Sequence, residues 1–571
     1  MSEFLRQLGY SPFRYELFAG IGLTLWLVSA FLGRPGREAP RRVWESFGLY
    51  AVLLLAAMLA FRWPTFFYKP VNPDEGQYIA ATITMVDRHV FWWPDTMTSG
   101  PVTVAPLALA AAIGLPADFV TARIVGLLFS WGIALCVMQI LRHLYGDRLG
   151  RLLTVPLAGF LILLEFWDFT PYVSEWCPLF LSALAAALVT TSVASDGRVR
   201  PGWRLIAAGL VLGILPFSKL QVAPLGAAIG VWTIAMILAQ PSGAARARPL
   251  AQLLGATFLA LSGMILWLWS SGSGPHFYEA FVRHNLIYAQ ARALPWTASF
   301  GEFRYLADFA WGFALFHQLL WVFLLAGLGM FAWRRIISWR PASLAIGLLI
   351  ISYYASLAPG RAYPHYLLLV IFPLALATGV FFGGLLEMAR ARAGVRLVLL
   401  GAFAVGPLAW QVGDRVTGDR DVTRLLPDHS PRTAIIGALG RLHETGDTLA
   451  VWGWRPEIYV ESGLPQATRD SLTERQMSDN PMRDYFRAEF LADVTANRPA
   501  FIVDAVGPGG FIYQDRNANG VPSFPALAAY LAREYQAAGE FNGFALYVRR
   551  DRWRPETQSL PSSRREPGMS H

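Results

Sequence analysis

Charge is scarce in this sequence. Asp, Glu, Lys and Arg make up 15% of its 571 residues, against 54% hydrophobic residues and 21 Trp. With a mean hydropathy of +0.39, that balance excludes an ordinary soluble domain. Cysteine is almost absent. Cys136 and Cys177 both fall in apolar runs, which excludes an outward-facing disulfide framework and leaves stability to helix packing. Lysine is scarce beside arginine, and the net charge of +9 comes mainly from arginines in short loops and in the C-terminal tail (Arg550, Arg552, Arg554, Arg564, Arg565). This distribution suits anionic lipid headgroups and excludes a nucleic-acid partner. The sequence also lacks a Walker loop, a dinucleotide fingerprint, a Gly-x-Ser-x-Gly element and a compact metal-ligand signature, so it offers neither a nucleotide cradle nor a nucleophile elbow. No internal repeat supports an inverted-repeat transporter.

Long apolar runs take the place of charge. Helices of about 20 residues cross the roughly 30 Å hydrocarbon layer, and the runs predict twelve spans, at 16–33, 43–61, 119–141, 150–166, 172–194, 203–217, 221–240, 249–270, 311–333, 341–358, 364–388 and 396–412. A shorter run, 102–115, is interrupted by Pro106 and Gly114 and reads as an interfacial or re-entrant helix. The first span has no small-residue cleavage pattern after it and is kept as a helix. Alternate loops are rich in arginine, among them Arg34, Arg37, Arg41 and Arg42, then Arg142, Arg148 and Arg151, then Arg198, Arg200 and Arg204. Such loops stay cytoplasmic. The opposite loops, 62–118 and 271–310 above all, then face outward together with everything after Val412.

From Gly413 the composition turns mixed. Strand-type runs at 448–454, 499–506 and 543–548 alternate with helical patterns at 432–445 and 524–538, predicting a small soluble α/β domain over 413–550. The tail, 551–571, has the composition of a disordered segment. The expected fold class is therefore a polytopic α-helical membrane protein of about twelve spans, residues 1–412, with a small C-terminal α/β domain.

The candidate chemistry lies in the outward loops. Asp74 and Glu75 stand in Asn72-Pro73-Asp74-Glu75-Gly76-Gln77-Tyr78, just past an apolar span. Carboxylates at the mouth of a helix bundle face water or serve a polar substrate, although Pro73 and Gly76 also suit a solvated turn. The stretch Tyr78 to Val86 has the pattern of a helix lying on the membrane surface. Arg123 sits near the outer end of a span, Glu175 begins another in Thr170-Pro171-Tyr172-Val173-Ser174-Glu175, and Lys219 ends one in Leu215-Pro216-Phe217-Ser218-Lys219. Each alone is explained by anchoring or snorkelling. Two cations and three acids on one side favour a site for a phosphorylated polar lipid. Arg361, Tyr363, His365 and Tyr366 open a later span, as substrate contacts or as interfacial aromatics. His276, Glu279, Arg283 and His284 fit an amphipathic surface helix better than a metal site. Asp515 to Gly520 imitates half a calcium loop but has Ala526 where that loop needs a bidentate Glu, so it reads as an Asn/Gly turn.

The acid pair in the first long outer loop, Ser99-Gly100-Pro101 later in it, Arg123 early in the next span, Glu175 at a span head and Lys219 at a helix end together resemble the GT-C glycosyltransferases. The group most similar is the ArnT-like and protein O-mannosyltransferase group, family 39 and its bacterial relatives. The segment Val451 to Tyr459 resembles C-terminal domains of bacterial members. The resemblance implies a polyprenyl-phosphate sugar as donor and a periplasmic lipid, glycan or protein as acceptor, in the inner membrane. It also implies Asp74 as catalytic base with Glu75 beside it, Arg123 and Lys219 on the carrier phosphate, and Glu175 as the acid at the span head. Tyr78, Arg361, His365 and Tyr366 are further candidates for substrate contact. A divalent cation beside Asp74 stays open. A lipid or solute transporter, or a non-catalytic scaffold of an envelope assembly, would use the same outer charges for binding alone.

Overall fold

The structure is a computed structural model that describes residues 12–34, 43–69, 72–89, 99–194, 196–241, 243–290, 295–310, 312–334, 337–361, 363–417 and 431–554. Most of the expected tail lies outside these residues. All twelve expected spans hold helix. Eight helical segments among the described residues are long and apolar enough to cross a membrane: Phe47–Phe67, Phe119–Tyr145, Leu220–Leu238, Ala245–Ser270, Phe313–Arg334, Trp339–Leu357, Pro364–Ala391 and Ala393–Gly413. The other four sites hold the helices Pro12–Phe31, Asp147–Ile162, Trp176–Ser192 and Trp203–Ile214. The chain is thus a multi-pass membrane protein.

Contacts divide it into two units. The first comprises Met1–Phe67, Arg123–Pro275 and Tyr288–Asp421, and the second Tyr68–Ala122, His276–Ile287 and Val422–His571. In the first unit Pro364–Ala391 is buried along its whole apolar window, while Ala245–Ser270 is almost bare and presents Phe258, Leu259 and Leu266 outward. Among helices in lipid, close backbone approach replaces the hydrophobic drive. Gly209 and Gly213 supply it in Gly209-Leu210-Val211-Leu212-Gly213. A Cβ on either would lie 2.5 Å from a carbonyl oxygen of the facing helix, that of Leu253 or of Thr257.

The second unit contains a four-stranded sheet in the order β1-β2-β4-β3. β1 (Leu449–Trp452) runs parallel to β2 (Phe501–Asp504), and β4 (Phe544–Arg549) is antiparallel to both β2 and β3 (Tyr535–Phe541). One expectation needs correcting here. The helix expected over 524–538 spans Pro525–Glu534 and gives way to β3, because Asn542 and Gly543, at φ 50° and 91°, close a hairpin that pairs Tyr535–Phe541 with β4.

The helix Pro73–Arg88 is likewise buried instead of lying on a membrane surface. It packs against Glu457–Ser462, and its Ala80 joins a core with Ile435, Leu449, Val451, Ile458 and Tyr459. Thr84 Oγ1 accepts from the Gln466 amide at 2.9 Å. Gly76 makes the approach feasible: a Cβ there would stand 2.9 Å from the Glu457 nitrogen and 3.1 Å from Pro456. Gly76→Val is therefore expected to lower stability by about 1–3 kcal/mol, read as a drop in the thermal midpoint of the purified protein. An unchanged midpoint would show that this helix does not need the close packing.

Candidate functional site

In the second unit, Asn72 caps the Pro73–Arg88 helix through its side chain, which accepts from the Asp74 amide at 2.8 Å, and Pro73 supplies the first helical position. Asp74 and Glu75 thus occupy the first turn of a helix, where the macrodipole favours negative charge. Glu75 is fully buried, whereas Asp74 is only partly buried, so Asp74 is the more accessible acid of the pair. Tyr78, which is buried, shares a hydrogen bond of 3.0 Å with Ser99 Oγ. This ties the acid-bearing helix to the Ser99-Gly100-Pro101 segment that starts the Pro101–Ala112 helix. The segment around His276 docks on the C-terminal part of the unit. His276 Nδ1 lies 3.0 Å from Glu489, His284 packs edge-on to Phe486, and Glu279 pairs with Arg283 at 2.8 Å. Asp515 caps a short helix, Arg516–Asn519, accepting from the amides of Asn517 and Ala518.

In the first unit, four ionisable side chains gather around one aromatic ring. Pro216 and Pro224 bracket a break between two helices, and Lys219 adopts an extended conformation there, φ −156°. Its Nζ donates to the Glu175 carboxylate and to Ser174 Oγ, the latter at 2.7 Å, and stands 5.0 Å from the centroid of the Tyr366 ring. Glu175 is the fully buried N-cap residue of Trp176–Ser192. On the other side, the rings of His365 and Tyr366 meet at right angles, 5.0 Å apart.

His365 is held by Asp168, whose Oδ2 accepts from the His365 backbone amide at 2.8 Å and from ring Nδ1 at 2.9 Å. A carboxylate acceptor puts the proton on Nδ1 and leaves Nε2, which makes no hydrogen bond among the described residues, facing other chemistry. Arg361 pairs with no carboxylate among the described residues: its guanidinium lies 4.4 Å from the centroid of the Tyr288 ring, and its buried Nε has no hydrogen-bond partner among them. Gly360, at φ 56°, makes the left-handed turn that precedes it.

The remaining candidate, Arg123, is buried and donates from Nη1 to the carbonyls of Thr65 and Phe66 at 3.3 and 3.1 Å. Sequence reasoning passed over Asp168, Ser174 and Arg62. The last is a buried arginine that donates to Ser130 Oγ and the Thr170 carbonyl, both at 3.3 Å. The one available signal for Asp168 was an acid in the apolar turn Phe166-Trp167-Asp168-Phe169. Asp168→Ala removes the acceptor of two buried donors, so it should cost roughly 1–3 kcal/mol of stability. Thermal unfolding beside Asp168→Asn, which keeps one acceptor oxygen, checks this; equal midpoints for alanine and wild type would remove the anchoring role. Among the described residues no three His, Cys, Asp or Glu side chains converge as metal ligands.

No protein-family model matches the sequence, and no curated protein does. Solved structures do match. The chain shares the fold of a solved membrane protein. It is similar to ArnT from Cupriavidus metallidurans bound to undecaprenyl phosphate, with 14% identity, a TM-score of 0.52, and 93% of this chain and 97% of that one covered. The apo state of the same protein aligns over the same shares with a TM-score of 0.51. The archaeal oligosaccharyltransferase AglB from Archaeoglobus fulgidus also matches, at 13% identity and a TM-score of 0.44, over 94% of this chain and 75% of that one.

Proposed function

We propose that this chain is a glycosyltransferase that moves a hexosyl or pentosyl group from a polyprenyl-phosphate donor to a lipid, glycan or protein acceptor on the periplasmic side of the inner membrane. The observation that carries this reading is the buried Asp168–His365–Tyr366–Lys219–Glu175 cluster, with Arg361, which pairs with no carboxylate among the described residues, four residues before His365, in a chain with the fold of ArnT. Buried charges are costly, and a cluster of them at span heads suits an ionic substrate headgroup. The arginine distribution supports the orientation.

The chemistry asks little of the protein. The acceptor oxygen attacks the anomeric carbon, the bond from that carbon to the phosphate oxygen breaks with its electron pair going to the phosphate, and the acceptor proton passes to the Asp74 carboxylate. A phosphate leaves without a strong general acid. A partly exposed carboxylate in the first turn of the Pro73–Arg88 helix is placed where it can take up that proton. Arg361 and Lys219 are proposed to stabilise the charge that collects on the departing phosphate, and preorganised electrostatics of this kind is often the largest catalytic contribution. His365, oriented by Asp168, presents Nε2 to the headgroup. The single displacement inverts the anomeric centre.

Mass spectrometry of envelope lipids and glycans from cells lacking the protein tests the assignment. One sugar mass is expected to vanish and to return only with the active chain, which identifies sugar and acceptor class together. A profile unchanged by the deletion would sink the reading.

A further inference from the structure

At the arginine-rich end of the first unit the chain forms a half-open cavity of about 430 Å³ that the transfer chemistry does not use. Three elements build it. The end of Phe119–Tyr145 contributes His143, whose Nε2 lies 2.9 Å from the Val193 carbonyl. The end of Trp176–Ser192 continues into a tight hairpin in which Val193 bridges Val199. The Trp203–Ile214 helix opens at the cavity, so that Arg200, Trp203 and Arg204 line its mouth. The volume falls within the roughly 300–1,000 Å³ of small-molecule pockets.

The charges at this mouth are unbalanced. Arg200 and Arg204 are exposed, and neither pairs with a carboxylate among the described residues. The hairpin's acid, Asp196, faces Arg198 at 3.7 Å. The Arg204 guanidinium stands 5.4 Å from the centroid of the Trp203 ring. Trp203 is 67% exposed and begins a stripe with Ile206 and Leu210, also exposed, on one face of the helix. Spacings of three and four residues put them on the same side, and an apolar stripe headed by Trp is how a helix meets lipid at the headgroup level. The cavity therefore opens where a lipid-facing surface begins.

We propose that this cavity binds a phosphate-bearing anion, the headgroup of an acidic phospholipid, with Arg200 and Arg204 on the phosphate and Trp203 against the glycerol and upper acyl region. A soluble phosphate compound shares the chemistry but has no use for the exposed Trp203 stripe. The site is separate from the cluster around Lys219 and stands or falls independently of the transfer reaction.

Native mass spectrometry of the purified full chain decides it, with phosphatidylglycerol and phosphatidylcholine offered in equal amounts and inorganic phosphate as competitor. Wild type is expected to retain phosphatidylglycerol over phosphatidylcholine. The double variant Arg200→Ala/Arg204→Ala should lose roughly tenfold or more of that retention, since each arginine near an anionic headgroup contributes about 1 kcal/mol. Arg200→Lys/Arg204→Lys keeps the charge and should keep most of the binding, which guards against a loss caused by misfolding. Equal retention of the two lipids, or undiminished phosphatidylglycerol on the alanine variant, overturns the proposal. Displacement by millimolar phosphate would uphold the arginine site but overturn the assignment to lipid.

Discussion

Asp74→Asn is expected to fold as the wild type does and to lower sugar transfer by roughly 100- to 10,000-fold, the range over which a positioned general base contributes. Asparagine preserves the shape of the side chain and leaves the Asn72 cap and Pro73 in place, so the helix start should survive. What it loses is the capacity to take a proton. The loss should fall on kcat with little change in KM, because the group acts on the acceptor oxygen as it becomes acidic and binds neither substrate strongly beforehand. The companion variant Glu75→Gln separates the two acids. Glu75 is fully buried, so its change should register first in stability. Turnover of a defined polyprenyl-phosphate sugar by the purified variants gives the answer. Wild-type turnover by Asp74→Asn would remove Asp74 from the chemistry, and a deficit of equal size in Glu75→Gln with full stability would move the base to its neighbour.

The spans were legible because they rest on a local property, the run of apolar residues long enough to cross hydrocarbon, and strands β1, β2 and β4 because Val451, Ile502, Val503 and Leu546 lie in short runs of strand type. β3 was not. Gln536, Ala537 and Ala538 continue the helical pattern of Pro525–Glu534, and only the tertiary pairing closed by Asn542 and Gly543 overrides it. The burial of Pro73–Arg88 was hidden for a related reason: the mixture of Ile, Ala, Thr and Met over Tyr78–Val86 suits a membrane surface, yet the small Gly76 is also what allows the helix to press against the turn at Pro456. Within the site, Glu175 and Lys219 stood out as charges at span ends. That they pair, and that Asp168 holds His365, depends on contacts between residues 44 and 197 positions apart, which no spacing rule reaches.

The second large effect concerns that pair. Lys219 is one of only two lysines in the sequence, the other being Lys69, in a chain that otherwise carries its positive charge on arginine. The pocket accounts for the choice: a compact ammonium fits between Glu175, Ser174 Oγ and the Tyr366 face, where a planar guanidinium with five donors in a fixed fork would need a wider slot. Lys219→Met leaves Glu175 ionised, buried and unpaired, a change that typically costs about 3–5 kcal/mol, and Lys219→Arg should recover only part of it. Adding Glu175→Gln to Lys219→Met removes the stranded charge and should restore most of the lost stability, so the two changes couple strongly in a double-mutant cycle. Activity separates from stability at this point. If Lys219 supports the departing phosphate, the double variant is well folded and still transfers sugar poorly. Additive single effects would mean that the pair is not a unit, and a stable double variant with full turnover would leave the phosphate to Arg361 alone.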